Sequence, residues 1–445
     1  MIRYIKLKNF KSFENVEINL CNSKGKPKPI VFIYGNNGCG KSNLISSIMI
    51  LRELLLTMTF REKIQEIFDK GKVDFSNNSF IKMIKKFMPR DLESIIQESK
   101  TVGTKSNMVM EFGFFLDGKN GVYIVETDGK QVVHERLDYR LSKNTRELFD
   151  CTPNNFKINS NLFETNEYKK NIEDLCYAYW GKHTFLAIIE NELASKAKDY
   201  INRQINYNLL KAITFFQNIP CRIIGEPNRT LASLPKNLNL NFSEGYISNN
   251  RRWVIENFEK ALNSFFKFYS SDIVGVKYVF TPKEKKTYYQ LFSQRIIEGE
   301  VRDVTFDLES SGIKNLINIL PFLITACNNG VVAVDEIENS IHELLVQKII
   351  CDIQDSITGQ LILTTHCVSL LEESKKIKHL KERAYVIGHQ HDGTKVIKSL
   401  NQCNTRIFPN TNMRLQYLAG RFLGTPKNNK EKFDFKNLIE AFNSK

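Results

Sequence analysis

Val31-Phe32-Ile33-Tyr34-Gly35-Asn36-Asn37-Gly38-Cys39-Gly40-Lys41-Ser42-Asn43-Leu44 decides how the chain is read. An apolar run enters a glycine-rich loop, and the loop enters an amphipathic stretch continuing through Leu51, Leu54 and Leu55. Gly35 to Ser42 spells G-x-x-x-x-G-K-S, the P-loop pattern, in the required setting of strand before and helix after. A triphosphate is a dense anion. Glycines let the backbone curl so that successive N–H groups of residues Asn36, Asn37, Gly38, Cys39, Gly40, Lys41, Ser42 and Asn43 can face it. The helix N-terminus adds its partial positive charge. Lys41 is expected at the β- and γ-phosphates of ATP, and the Ser42 hydroxyl on Mg2+. A chance glycine-rich turn would need neither flank.

Working outward, Ile5 and Leu7, then Val16, Ile18 and Leu20, alternate at period two, so residues 1 to about 34 read as three strands. Residues 60 to 105 read as mostly helical and basic, with Lys82, Lys85, Lys86 and Arg90 close together. Met110, Phe112 and Phe114 open a meander turned at Asp117-Gly118 and Asp128-Gly129. From about 145 to 270 the chain reads as helical, with Phe185 to Arg203 and Trp253 to Phe268 as examples and a break over Asn218 to Arg229. Strands resume at Val276. The longest apolar run, Leu316 to Ala326, which Pro321 interrupts, reads as a buried helix. A helix with Ile341, Leu344, Leu345, Ile349 and Ile353 on one face follows. The expected units are an N-terminal lobe at 1–145, a helical insertion at 146–272, a C-terminal lobe at 273–400 and a basic tail at 401–445.

Three stretches in the C-terminal lobe carry chemistry. Val331-Val332-Ala333-Val334-Asp335-Glu336 is a buried strand ending in two carboxylates. Asp335 is expected at Mg2+, and Glu336 is placed to polarise the attacking water. Glu338 is expected to be turned elsewhere. Gln360 to Thr364 is a second buried strand, with Thr365-His366 at its tip. Parallel strands end on one edge, where His366 can donate to the γ-phosphate; the alternative is a histidine that caps its own loop. Ser310-Ser311-Gly312 opens a helix whose N-terminus can take a phosphate, in trans because the P-loop already has its own. The alternative there is an ordinary serine cap.

The P-loop precedes the acidic strand by roughly 300 residues, with Ser310 to Gly312 just ahead of that strand and His366 just behind. This order resembles the ABC/SMC-type ATPase heads. In that family the signature is L-S-G-G-x-K, and Glu309 to Lys314 matches it at Ser310, Gly312 and Lys314. Leu7-Lys8-Asn9-Phe10-Lys11-Ser12-Phe13 is similar to the family's first strand and turn, which implies Lys11 at the nucleotide. The closer resemblance is to the stand-alone bacterial ATPases of the RloA/AbiLi and PtuA kind, relatives of the overcoming-lysogenisation-defect (OLD) proteins. It rests on Glu309 to Gly312, Asp335-Glu336-Ile337-Glu338-Asn339-Ser340-Ile341-His342 and Tyr417-Leu418-Ala419-Gly420-Arg421-Phe422. The resemblance implies an α/β P-loop ATPase head built from both chain ends with an inserted helical domain. It implies an ATPase that forms a homodimer or higher homo-oligomer around ATP. It also implies antiviral defence, by abortive infection, beside a separately encoded effector, a nuclease or toxin. Ser311, Ile313 and Ile341-His342 depart from the family pattern and no Q-loop glutamine is placed, so either slow hydrolysis or ATP acting mainly as a clamp is expected. About 80 residues follow His366 without D-x-D, so the nuclease domain of OLD proteins is not expected. The runner-up is a DNA-repair ATPase of the RecF kind that clamps DNA.

The net charge of +14 fits an anionic partner, nucleic acid or an acidic protein surface, or else a solvated lysine-rich exterior. Nine scattered cysteines without C-x-x-C read as reduced thiols, which points to a cytoplasmic protein. Cys39 is either an oxidisable thiol in the P-loop or a small tolerated residue. No signal peptide or membrane span is expected. His389-Gln390-His391 flanks a hairpin turn rather than spelling a metal site.

Overall fold

The computed structural model describes residues 1–69, 90–140, 146–234, 241–284, 286–372, 376–390, 392–403, 412–422, 424 and 435. The hairpin of β1 (Ile2–Phe10) and β2 (Phe13–Asn19) leads to β3 (Ile30–Gly35), buried at every position, and then to α1 (Lys41–Asp69). After α2 (Leu92–Ser99) the chain meanders through β4 (Met108–Leu116), β5 (Lys119–Thr127), β6 (Val132–Asp138), β7 (Glu147–Thr152) and β8 (Asn155–Ile158). These extend the first hairpin into a seven-stranded antiparallel sheet, β2-β1-β4-β5-β6-β7-β8. Asp117 and Gly118 have φ of 49° and 74°. Positive φ at both positions is what a type I′ turn asks of a two-residue hairpin, and Asp-Gly supplies it.

Four helices follow: α3 (Asn166–Tyr179), α4 (Phe185–Ser195), α5 (Lys198–Gln204) and α6 (Tyr207–Gln217). Then come β9 (Cys221–Arg222), α7 (Pro227–Ser233), β10 (Glu244–Ser248), α8 (Arg252–Tyr269), β11 (Gly275–Lys283), β12 (Lys286–Ile297) and β13 (Glu300–Thr305). The C-terminal third holds α9 (Ser311–Cys327), β14 (Val331–Val334), α10 (Glu343–Ile353), β15 (Gln360–Thr364), β16 (Ala384–His389), β17 (Lys395–Ser399) and α11 (Met413–Leu418).

The central sheet has the order β17-β16-β3-β15-β14-β9, parallel except for β17. Val31, Ile33, Ala333 and Ile362 face one core, shared with α1, α4 and the seven-stranded sheet. Phe32, Tyr34, Val332 and Leu363 face the other, beneath α9 and α10. Covering both faces is why these strands read as unbroken apolar runs. Each such side chain contributes about 1.5–3 kcal/mol by leaving water. A smaller core lies between α8 and the sheet β10-β12-β11, to which β13 adds on β12.

The molecule is thus an α/β fold whose central, mostly parallel sheet is assembled from both chain ends: β3 comes from the first 35 residues and β14 to β17 from the last third. Gln360 stitches the two. Its Oε1 accepts from Ile2 N at 2.7 Å, and its Nε2 donates to Ile2 O at 2.9 Å and Lys28 O at 3.1 Å.

Several expectations need correcting. The inserted helices lie between β8 and β9, but residues 147–158 are strands that complete the seven-stranded sheet. Their burial pattern does not alternate cleanly, which hid them. β9 is two residues long, too short for any period to register. The stretch Phe185 to Arg203 is two helices broken at Lys196 and Ala197. Leu344 is exposed rather than on the buried face, whereas Leu316 to Ala326 lies within α9 as a buried helix with Pro321 inside it. Lys82, Lys85, Lys86, His391 and most of the tail lie outside the described residues.

Candidate nucleotide site

β3, β15 and β14 are neighbours and parallel, so the loops after them share one edge of the sheet. That edge is where an open α/β sheet opens a crevice. The P-loop, Asp335-Glu336 and His366 are the residues that follow those strand ends.

Within the P-loop, Gly38 has φ of 75° with open space around it, and Gly40 has φ of 115°. A Cβ on Gly40 would stand 2.6 Å from the Phe13 ring, so the β1–β2 turn fits only against glycine. Asn37, Gly38 and Ser42 are exposed, while Cys39 and Lys41 are buried. Lys41 Nζ donates to Gly35 O at 2.9 Å and Asn36 O at 3.1 Å, which curls the loop around its own ammonium. From β17, Lys395 Nζ donates to Gly38 O at 3.0 Å. Burial pushes the Cys39 thiol up, so it is a buried small residue and not a reactive thiolate.

The N-terminal turn docks on α1. Asn43 Nδ2 donates to Ser12 Oγ at 2.8 Å, and Lys11 Nζ donates to Ser46 Oγ at 2.7 Å. Ser46 is one helical turn beyond Ser42 on the same face. Lys11 therefore lies beside the phosphate site, a turn away from its mouth.

At the acidic strand, Asp335 is buried and its Oδ1 accepts from Thr364 Oγ1 at 2.6 Å. The same hydroxyl accepts from Glu336 N at 2.8 Å. Thr364, at the tip of β15, thus fixes both carboxylate residues. Glu336 has φ of 43°, a conformation that costs a non-glycine residue roughly 1–2 kcal/mol and is held by its surroundings.

Glu338 corrects the expectation that it is turned elsewhere. It accepts from Thr365 Oγ1 at 2.7 Å and from the His366 N–H, and so shapes the histidine loop. His366 itself is exposed. Partial burial, and next the Lys41 ammonium, lower its pKa from the ordinary value against the pull of Glu338, Glu336 and Asp335. A lowered pKa favours the neutral ring, which has one N–H to give.

Ser310 caps α9, accepting from Ile313 N at 3.4 Å, and both Ser310 and Ser311 are exposed. A Cβ on Gly312 would meet Ser340 O at 2.6 Å, so this glycine has a packing reason within its own chain. Glu309 is buried and takes a bidentate pair from Arg295, with Nε at 2.9 Å and Nη2 at 2.6 Å, and a further bond from Ser293 Oγ. The contacts of this turn run to Ser340 and Arg295. His342 is the N-cap of α10.

Sequence reasoning missed the positioning contacts of Thr364, Glu338 and Lys395. The signal for Thr364 was present: a hydroxyl at a parallel strand tip beside an acidic one.

The donors fit Mg2+. An exposed hydroxyl at Ser42 and a buried carboxylate at Asp335 with one oxygen engaged are hard ligands that leave room for phosphate oxygens and water. Among the described residues no group of three or more His, Cys, Asp or Glu could hold a metal by itself.

Residues 1–370 match the family model described as AAA ATPase domain. The chain belongs to that family. It is accordingly an ATPase that binds and hydrolyses ATP. A protein of Helicobacter pylori (strain ATCC 700392 / 26695) named ATP/GTP phosphatase is 24% identical over 402 residues, covering 86% of this chain and 90% of that protein. Among solved structures, an SMC head bound to the C-winged helix domain of ScpA is matched at a TM-score of 0.48 with 13% identity, over 90% of this chain and 99% of that one. The SMC head domain from Thermotoga maritima is matched at 0.37 with 13% identity, over 89% and 98%. At such scores the architecture of this ATPase stands on its own strand order. Among the described residues no helix is long and apolar enough to cross a membrane.

Proposed function

We propose that residues Asn36 to Asn43 of this ATPase wrap the triphosphate, that Lys41 shifts from the Gly35 and Asn36 carbonyls to the β- and γ-phosphates, and that Glu336 polarises the attacking water. Neutral His366 donates to the γ-phosphate, and Lys11 adds positive charge from the side. Ser42 and Asp335 would hold Mg2+, which when bound neutralises charge on the β- and γ-oxygens. The observation that carries this reading is Thr364, whose single hydroxyl fastens both acidic residues at a strand tip next to the P-loop.

We read the site as half complete. A second copy, facing the first, lends Ser310, Ser311 and Gly312 to the γ-phosphate, so that ATP closes a homodimer and hydrolysis opens it. The exposure of both serines at the start of a long helix, on a turn braced by Glu309 and Arg295, supports this. The lobes at 1–145 and 273–400 then act as one head, with 146–272 as the insertion and 401–445 as the tail. On the family resemblance, the chain is a stand-alone ATPase of the RloA/AbiLi/PtuA, OLD-like kind. Its closure is read by a separately encoded nuclease or toxin in antiviral defence. The net charge of +14 favours a second reading, a RecF-like clamp on DNA. Filter binding across a salt series separates them: a steep loss of affinity with salt supports the DNA clamp, and a flat series removes it.

The test of the first reading is light scattering on Glu336→Gln protein with Mg2+ and ATP, ADP or GTP. ATP-dependent doubling of mass is expected. Unchanged mass with every nucleotide overturns the clamp.

A further inference from the structure

Arg222 is the last residue of β9 and pairs with Val334 across the parallel ladder. The register turns its side chain to the α9 face of the sheet, beside the catalytic edge but off it. Arg222 is 7% exposed. Its Nη2 donates to the Asn315 amide oxygen at 3.3 Å, while the buried Nη1 has no hydrogen-bond partner. A buried guanidinium bonded only to a neutral amide is an expensive arrangement unless something anionic completes it. Asp335 and Glu336 attract it from a distance, yet neither makes a hydrogen bond with it, and Asp335 Oδ1 is engaged by Thr364.

Arg222 lines a cavity of about 490 Å³ between the sheet edge and α9. Phe242 and Phe322 give it apolar walls, and Asn315, Asn318 and Asn339 give it amides. The volume falls within the range of small-molecule sites, and mostly apolar walls with a few convergent polar groups are their usual make-up. Asn315 is engaged on both sides, by Arg222 and by Asn339 O, so the Asn318 and Asn339 side chains are the ones that offer the paired donor and acceptor a nucleobase edge needs, while aromatic rings offer it a flat surface and a lone guanidinium offers a phosphate its fork.

We infer that this cavity is a second nucleotide site, separate from the P-loop, that takes a nucleoside monophosphate with its phosphate on Arg222. The occupant would be coupled to the ATPase centre. Arg222 bonds Asn315, Asn315 Nδ2 donates to Asn339 O at 3.0 Å, and Asn339 N donates to Glu336 O at 2.9 Å. A ligand on Arg222 therefore acts on the turn that carries Glu336 and on the helix that opens with Ser310.

The test is isothermal titration calorimetry on Lys41→Ala protein, in which the P-loop is disabled, with AMP, GMP, CMP, UMP and inorganic phosphate as probes. At least one nucleotide is expected to bind with a Kd below about 1 mM. Adding Arg222→Gln should weaken that binding by about tenfold or more, the loss of one charged hydrogen bond. Asn318→Trp should do the same from the exposed rim of the cavity, and it decides alone if Arg222→Gln fails to fold by circular dichroism. Binding of no nucleotide, binding of inorganic phosphate only, or nucleotide binding that survives the substitutions overturns the proposal. Because the P-loop is disabled throughout, failure here leaves the reading of the ATPase site untouched, and failure of that reading leaves this one.

Discussion

Lys41 donates to two carbonyls of its own loop, so a triphosphate must offer it stronger, charged acceptors in their place. Lys41→Ala is expected to weaken ATP binding roughly 100-fold in a fluorescent-nucleotide titration, the scale of charged hydrogen bonds lost from a phosphate. Glu336→Gln keeps the shape and removes the charge. It should lower kcat by about 10²–10⁴ while leaving the Kd for ATP nearly unchanged, because the proposed role of the carboxylate is to polarise the water and not to hold the phosphates. His366 has its pKa lowered by partial burial and then by Lys41. The unfolded chain therefore takes up the proton first as pH falls, and the neutral ring's contribution to stability is present above the ordinary histidine value and lost through the lower folded one. Its NMR titration midpoint should lie below about 6.5, the ordinary value; a midpoint above it contradicts the assignment. Lys41, Asp335, Glu336 and His366 were legible because each sits in a local pattern. Thr364, Glu338 and Arg222 come to their places only when strands far apart in sequence come into register, as Val334 does with Arg222.

At the scale of elements, two buried acids hold parts together. Glu309 anchors the start of α9 through Arg295. Arg295→Ala leaves that carboxylate buried without its partner, so the turn carrying Ser310 loosens. Fluorescent-nucleotide binding should persist while ATP-dependent assembly is lost; equal loss of both would assign Arg295 to general stability. Glu135, on β6, is fully buried and accepts from Tyr123 Oη at 2.8 Å, Trp180 Nε1 at 3.1 Å, Phe185 N at 2.5 Å and Leu186 N at 3.3 Å, tying the seven-stranded sheet to the start of α4. Burial outweighs these four donors and raises its pKa to about 7. A raised carboxyl contributes stability below its unfolded pKa and loses it as pH rises through the folded one. Urea titrations should show the stability of wild type relative to Glu135→Gln falling by about 3 kcal/mol between pH 4.5 and pH 8. A difference that grows with pH would mean that the donors win. The meander strands were readable from period two and the Asp-Gly turns. β7, β8 and β9 were not, since short strands with broken alternation take their place from neighbours rather than from their own residues.

At the scale of the whole molecule, the central sheet takes β3 from one end of the chain and β14 to β17 from the other, and every proposed phosphate-handling group apart from Lys11 and the 310–312 turn comes from the edge they share. That organisation was legible from motif order, because buried parallel strands carry unbroken apolar runs and end in their functional residues. How the inserted helices sit was not, since α4 is buried against α1 by residues that any core helix would use. The central claim is that each copy supplies what the other lacks. It is tested most directly by mixing two inactive variants, Lys41→Ala and Ser310→Arg, and measuring ATP turnover. A mixed dimer with an isologous interface holds one intact composite site, so an equal mixture should recover roughly a quarter of wild-type activity. A mixture as inactive as its components would contradict the account.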